Sequence, residues 1–222
     1  MRGQTLSAIV CASLVSTLAC SAPINTGYLD QQAVMQPGQF MDGVWCDDQI
    51  DQPPTYSQVR VVSVEARGIE DRKGVSTDDA VSWLREQLAQ ASDESNDDDV
   101  LLTLPGEGPV ASLELAITEM TPGSVAGRFW GGEFGAGHAF VQVEGKLTDA
   151  SEGALLCELV QRARASGAVG FRDWGGDAGP AMVEEMLGLV AQALIQELRV
   201  KLQGSRGPTR SAIPTALPST GA

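Results

Sequence analysis

The chain contains a single histidine, His138. One imidazole rarely makes a transition-metal site, and neither Cys46 nor Cys157 has a second Cys or His at ligand spacing, so no zinc or other metal is expected. There is no H-E-x-x-H signature and no G-x-S-x-G nucleophile elbow. Basic residues are also scarce, with 15 Lys and Arg against 29 Asp and Glu and a formal charge of −14. A surface this acidic repels phosphate backbones, so nucleic acid is excluded as a partner. It provides no polybasic attraction to anionic lipid either.

A long hydrophobic run is missing too. Arg2 is followed by the uncharged stretch "LSAIVCASLVSTLAC", too short to span a bilayer, which takes about 20 apolar residues. A basic start and a short apolar run make a secretory signal. The run ends in "TLAC", Thr17–Cys20, which resembles the lipobox of bacterial lipoproteins, with Thr17 where Leu is usual. That resemblance implies cleavage before Cys20 and acylation of Cys20, with palmitate among the added chains. The alternative is an ordinary signal cut nearby, with Cys20 incidental. Losing residues 1–19 removes Arg2 from the 15 basic residues and none of the 29 acidic ones, so the mature charge is −15. Attachment to a bilayer then rests on lipid chains, of which one alone holds weakly. Of the four cysteines, Cys11 leaves with the signal, and Cys46 and Cys157 remain. In an oxidising compartment they form either one disulfide or two separate buried thiols.

Residues 20–57 are rich in Gln, Asp, Pro and Gly and read as a flexible tether, with a docked patch at "FMDGVW", Phe40–Trp45. The β-branched run Val59–Ala66 predicts a strand. Ser76 or Thr77 caps a helix with Asp78 and Asp79 in its first turn. Val81, Leu84 and Leu88 share one face of that helix. "SDESNDDD", Ser92–Asp99, is acidic but lacks the EF-hand pattern, since the sixth and twelfth places counted from Asp93 hold Asp98 and Leu104. "VLLTL" reads as a short strand. "VASLELAITEM" alternates, with Leu113, Leu115 and Ile117 opposite Ser112, Glu114 and Thr118. "HAFVQVEGKLTD" puts Ala139, Val141, Val143 and Leu147 inward and Gln142, Glu144, Lys146 and Thr148 outward. After a turn at Asp149–Gly153, Leu155, Cys157 and Leu159 share one side of a returning strand. A helix then begins near Pro180, with Val183, Leu187, Val190, Leu194 and Leu198 as its stripe. Gly188 inside it marks close packing. Residues 203–222 are aperiodic and read as a disordered tail.

The expected fold is α+β: a mainly antiparallel sheet of four to five strands with two helices packed on one face, forming one domain over residues 58–202. The other sheet face then needs a partner, the tether, or water.

"GRFWGGEFGAGHAF", Gly127–Phe140, is the stretch that invites a catalytic reading. Its glycines run G-x-x-G-x-G, the reverse of a dinucleotide loop, and lead into a strand rather than a helix. "GAGHAF" also lacks the Lys and Ser or Thr that end a Walker loop, so no nucleotide cofactor is expected. His138 has no visible orienting partner or nucleophile. "WGGE", Trp130–Glu133, echoes "WGGD", Trp174–Asp177. Exposed, Trp130 and Trp174 would form a partner patch. Buried, they would plug the ends of the core. Glu133, His138 and Asp177 would be the polar groups of a small-molecule or hydrolase site if the two glycine loops converged.

The region from about Val59 to Leu202 resembles an uncharacterised bacterial lipoprotein family, domain-of-unknown-function family four-four-one-zero. The resemblance lies in "GRFWGGEFGAGHAFVQVEGKLTDASEGALLCEL": a glycine-rich run before a strand, a D-x-x-x-G turn at Asp149–Gly153, then another strand. Glu133 departs from the family's usual small or apolar residues. The resemblance implies a lipoprotein with an α/β domain on a tether and transfers no catalytic residue. The expectation is a nonenzymatic envelope lipoprotein facing the periplasm, meeting the bilayer through Cys20 and an envelope protein through its domain. In a two-membrane host, Ser21 after the cysteine points to the outer membrane.

Overall fold

The computed structural model describes residues 23–47, 56–71, 74–92, 100–104, 107–121, 139–164 and 178–202. In chain order the elements are β1 (Gly43–Cys46), β2 (Gln58–Ala66), α1 (Thr77–Ala91), β3 (Val100–Thr103), β4 (Val110–Thr121), β5 (Phe140–Asp149), β6 (Leu155–Arg164) and α2 (Ala178–Leu202). A 3₁₀ turn at Gln32–Val34 precedes β1.

The strands form one sheet in the order β1-β6-β5-β4-β2-β3. Every neighbouring pair is antiparallel except β2 and β4. A parallel pair needs a long crossover, and the chain between β2 and β4 supplies it by way of α1 and β3. β4, β5 and β6 form the expected meander. Tight turning at its second corner uses Gly153 at φ +69°, a left-handed backbone that favours glycine.

Both helices lie on one sheet face, α1 against β2 and α2 against β5 and β6, and they pack on each other. Ser76 caps α1, its Oγ accepting the Asp79 N–H at 3.0 Å. The inward stripe of α1 is Ala80, Leu84 and Leu88, with Val81 only partly buried against the core. In α2, Val183, Leu187, Val190, Leu194 and Leu198 are at most 1% exposed. They meet Leu113, Leu115 and Ile117 of β4, Val141, Val143 and Leu147 of β5 and Leu159 of β6 in one core. Gly188 sits where α2 approaches α1: a Cβ there would lie 2.7 Å from Gln87 Oε1.

The fold is the expected α+β class, but with six strands rather than four to five. The additional strand is β1, which belongs to the segment read as a flexible tether. Residues 23–47 are instead docked on the domain. Gly43 to Cys46 pair with Val160 to Cys157, and Gln36 and Val44 exchange backbone hydrogen bonds at 3.0 and 2.8 Å. Beyond β1, Asp42 extends the edge with its own groups. Its N–H donates to Gln161 Oε1 at 2.9 Å and its carboxylate accepts the Arg162 N–H at 2.8 Å. Cys46 stands opposite Cys157 in the register, and the two form a disulfide across 111 residues of sequence. In the chain-entropy model, closing a loop of about 100 residues is worth about 4–5 kcal/mol.

The approach to β1 is tightly packed. A Cβ on Gly38 would lie 2.7 Å from Val44 Cγ2 and 2.8 Å from the Glu197 carboxyl carbon, and both neighbours are buried. Gly38→Ala is expected to destabilise the protein by about 1–3 kcal/mol, the usual cost of overpacking, measured as a lower urea midpoint. Unchanged stability would show that residues 36–44 do not pack as described.

Candidate functional site

Alternation along β5 sends Val141, Val143 and Leu147 to the helices and Gln142, Glu144 and Lys146 to the opposite face. Register places Arg162, Val160 and Glu158 of β6 beside those three in turn. A polar sheet face is ordinarily left to water. Here Gln142, Glu144 and Glu158 are all 0% exposed, because residues 23–35 lie across them as a strap. The outward direction expected for Gln142 and Glu144 is right, and of the three covers that face was expected to need, a partner, the tether or water, it has part of the tether.

Gln142 acts toward the strap as a peptide group would. Its Oε1 accepts the Ile24 N–H at 2.8 Å, and its Nε2 donates to the Ile24 carbonyl at 2.8 Å and to Glu144 Oε1 at 2.7 Å. Glu144 takes the Thr26 hydroxyl at 2.7 and 2.8 Å from its two oxygens and the Thr118 hydroxyl at 3.1 Å. Its donors are neutral groups. Glu158 accepts two successive backbone N–H groups, Asp30 at 3.0 Å and Gln31 at 2.7 Å, just ahead of the 3₁₀ turn. Lys146 Nζ is 2.9 Å from Asp30 and 3.7 Å from Glu158. On the helix side Glu197, also 0% exposed, accepts the Phe40 N–H at 2.6 Å. A buried carboxylate is costly unless its acceptor positions are filled. Both oxygens of Glu144 and of Glu158 are filled, largely by the chain's own N-terminal segment, and Glu197 Oε2 takes the Phe40 N–H while its buried Oε1 has no hydrogen-bond partner among the described residues. The cluster works as a clamp on that segment.

Tyr28 lies over the exposed edge of the clamp, 5.1 Å from Arg67 and 5.3 Å from Lys146 across its ring face, a cation–π geometry. Burial, and then the Glu114 and Glu65 carboxylates, push its hydroxyl up to about 12. At the start of β5, Phe140 holds Arg162 at 4.7 Å and Arg164 at 5.8 Å from its ring centre, while Arg162 pairs with Glu119 at 2.9 Å.

The turn after β5 is built on Asp149. Its Oδ1 accepts the Ser151 N–H and hydroxyl and the Glu152 N–H at 2.7, 2.6 and 2.9 Å, and its Oδ2 accepts the Tyr56 hydroxyl at 3.0 Å. Ser151 and Glu152 hold the Asp149 carboxyl down at about 2. Burial and the hydrogen bond to Asp149 raise Tyr56 to about 12. Both ends of this bond therefore resist titration across the neutral range.

Cys20, Trp130, Glu133, His138, Trp174 and Asp177 lie outside the described residues. Among the described residues, no group of three His, Cys, Asp or Glu could hold a metal ion, and no helix is long and apolar enough to cross a membrane. Gln142, Glu144 and Glu158 were not singled out by sequence reasoning. Their only signal was the sheet face left needing a cover.

No protein-family model matches the chain, and no curated protein is similar to it. Solved structures do resemble it. One is a protein described as a lipoprotein, from Caulobacter crescentus CB15, at 17% identity and a TM-score of 0.37, covering 64% of this chain and 91% of that one. Another is the PelC dodecamer from Paraburkholderia phytofirmans, at 16% identity and a TM-score of 0.36, covering 63% and 88%. A third is a Xanthomonas campestris protein of domain-of-unknown-function family 330, at 13% identity and a TM-score of 0.39, covering 68% and 90%. At these identities and TM-scores nothing about activity or assembly transfers to this chain.

Two expected outcomes follow from the geometry. Glu158→Gln leaves one acceptor for two backbone donors and turns an amide donor toward the strap. Hydrogen bonds to a charged group are worth about 1.5–3 kcal/mol, so exchange at the Asp30 and Gln31 amides should quicken about tenfold or more while core amides of β4 hold. Equal protection in the variant would remove Glu158 from the clamp. Asp149 is held below its ordinary value of 3.8, so its stabilising contribution is present above about pH 4 and lost as pH falls through about 2. The stability difference between wild type and Asp149→Asn should be constant from pH 5 to 7 and shrink below pH 4 in chemical denaturation. A gap that persists unchanged at pH 2 would rule out the depressed carboxyl.

Proposed function

We propose that the chain is a nonenzymatic lipoprotein of the bacterial envelope, acylated at Cys20, that presents its α+β domain in the periplasm for contact with an envelope protein or for envelope assembly. The observation behind this reading is the clamp. The first described residues after the lipobox-like "TLAC" are held by buried side chains of β5 and β6. A segment that must transmit the position of an anchor to a domain needs such fixing. A segment that merely follows a discarded signal does not. The Cys46–Cys157 disulfide suits an exported chain, because such bonds persist in oxidising compartments. Ser21 favours the outer membrane in a two-membrane host. The two glycine loops that carry the small-molecule alternative lie outside the described residues.

In cells given labelled palmitate, wild type should take up label and fractionate with membranes. Cys20→Ser should lose essentially all label and appear in the soluble envelope fraction. An unlabelled mature protein beginning at a residue other than Cys20 would overturn the proposal.

A further inference from the structure

The strap has a direction. Ile24 is bonded to Gln142, Thr26 to Glu144 and Asp30 to Lys146, so it runs alongside β5 in the same sense, from near Phe140 toward Asp149. Its N-terminal end therefore leaves the sheet beside Phe140, at the end of the β5–β6 hairpin away from the Asp149–Gly153 turn. Register puts Arg164 opposite Phe140 and Arg162 opposite Gln142 on that same polar face. Only four residue steps separate Cys20 from Ile24, a reach of at most about 14 Å.

Resting on the reading of Cys20 as the lipid anchor, we propose that the Phe140–Arg164 end of the sheet lies in the phospholipid headgroup layer, with Arg164 facing lipid phosphate, Arg162 held inward by Glu119, and the Asp149–Gly153 turn pointing away from the bilayer. Ten residues of β5 hold that turn roughly 30 Å further out. Two features favour a lipid surface over a protein at this end. The anchor's reach confines it to the interface, and arginine beside an aromatic ring is the pairing that suits a boundary with a polar and an apolar side. The acidic surplus is not opposed to this arrangement. At the anchored end Glu119 is paired with Arg162 and Asp42 accepts the Arg162 N–H, while Glu65 and Glu114, beside the strap on β2 and β4, are set back along the sheet. Repulsion from anionic headgroups then acts as a torque that keeps the acidic part away.

The test couples the anchor chemically, which separates it from natural acylation. Produced from residue 20 behind an initiator Met, the chain escapes acylation, and with Cys46 and Cys157 bonded Cys20 is its free thiol. The chain from Cys20 is coupled to maleimide-bearing phosphatidylethanolamine in phosphatidylethanolamine–phosphatidylglycerol vesicles, with p-benzoylphenylalanine in place of Arg164 or of Glu152. Given the roughly 30 Å difference in height, position 164 should crosslink to lipid at least tenfold more than position 152. Combining Glu144→Gln with Glu158→Gln, which loosens the strap, should bring the ratio toward one. Equal labelling in the wild-type background, or a ratio unchanged by the strap variant, overturns the proposal. Crosslinking of position 164 to a protein rather than lipid in intact cells overturns it as well. Failure of palmitate labelling in cells, with the vesicle ratio intact, would instead count against the anchor reading.

Discussion

Buried glutamates gripping backbone N–H groups are the constraint on which the rest of this molecule depends. A sheet with helices on one face leaves its other face bare, and a bare face of this breadth must be wetted or covered. This chain covers it with its own N-terminal segment. The segment has too little apolar content to adhere by burial alone: Leu29 and Met41 are its only large side chains close to fully buried among residues 23–42. Adhesion comes instead from Gln142, Glu144 and Glu158 on the sheet and Glu197 on α2. Charged acceptors make stronger hydrogen bonds than neutral ones, and water is excluded from them here. The disulfide and β1 then fix the downstream end of the same segment, so it is held at both ends.

The clamp is built mostly from neutral donors, in a chain whose basic residues are outnumbered about two to one. Glu144 is satisfied by hydroxyls and an amide, and Glu158 mostly by backbone. Lys146 is shared among Asp30, Glu158 and the Tyr28 ring. A neutral-donor clamp also has a specificity that ion pairs lack. Two successive N–H groups must both aim at one carboxylate, and the Ile24 peptide must match the Gln142 amide atom for atom, which sets the register of the strap to the residue.

The helices, the meander and the core were legible in the sequence because each repeats its apolar residues at the period of its element. The stripe Val183 to Leu198 and the alternation from Ala139 to Leu147 leave little choice of face. The Asp149 turn was legible from its residue types. The strap was not, because its binding is made of single polar contacts without a period. "PINTGYLDQQ", from Pro23, resembles a linker in composition, and only the far-off Gln142, Glu144 and Glu158 make it structure. β1 was legible only as a docked patch at Phe40–Trp45, not as a strand. Four residues carry no readable alternation, and what holds them is a partner strand and a disulfide more than a hundred residues away. The residues that the glycine loops contributed as candidates, Trp130 to His138 and Trp174 to Asp177, lie outside the described part, while the polar residues that organise the described part looked like an ordinary wet face.

This difference alters the physical character of the domain. A free tether from Cys20 to Ser57 would have a root-mean-square span of roughly 30–35 Å, and a domain on such a leash would tumble and sample any orientation. With the strap docked, only four residue steps separate Cys20 from Ile24, the first residue bonded to the sheet, so a lipid on Cys20, as proposed, would be held close to one end of β5. Orientation entropy is then removed once, on folding, rather than each time a partner binds. A partner in the envelope would meet a surface already presented at a fixed height and angle, which lowers the ordering cost of association. Under the proposed anchoring at Cys20, the buried glutamates are therefore more than a device for covering a sheet, since the same hydrogen bonds that stabilise the fold would decide which way it faces.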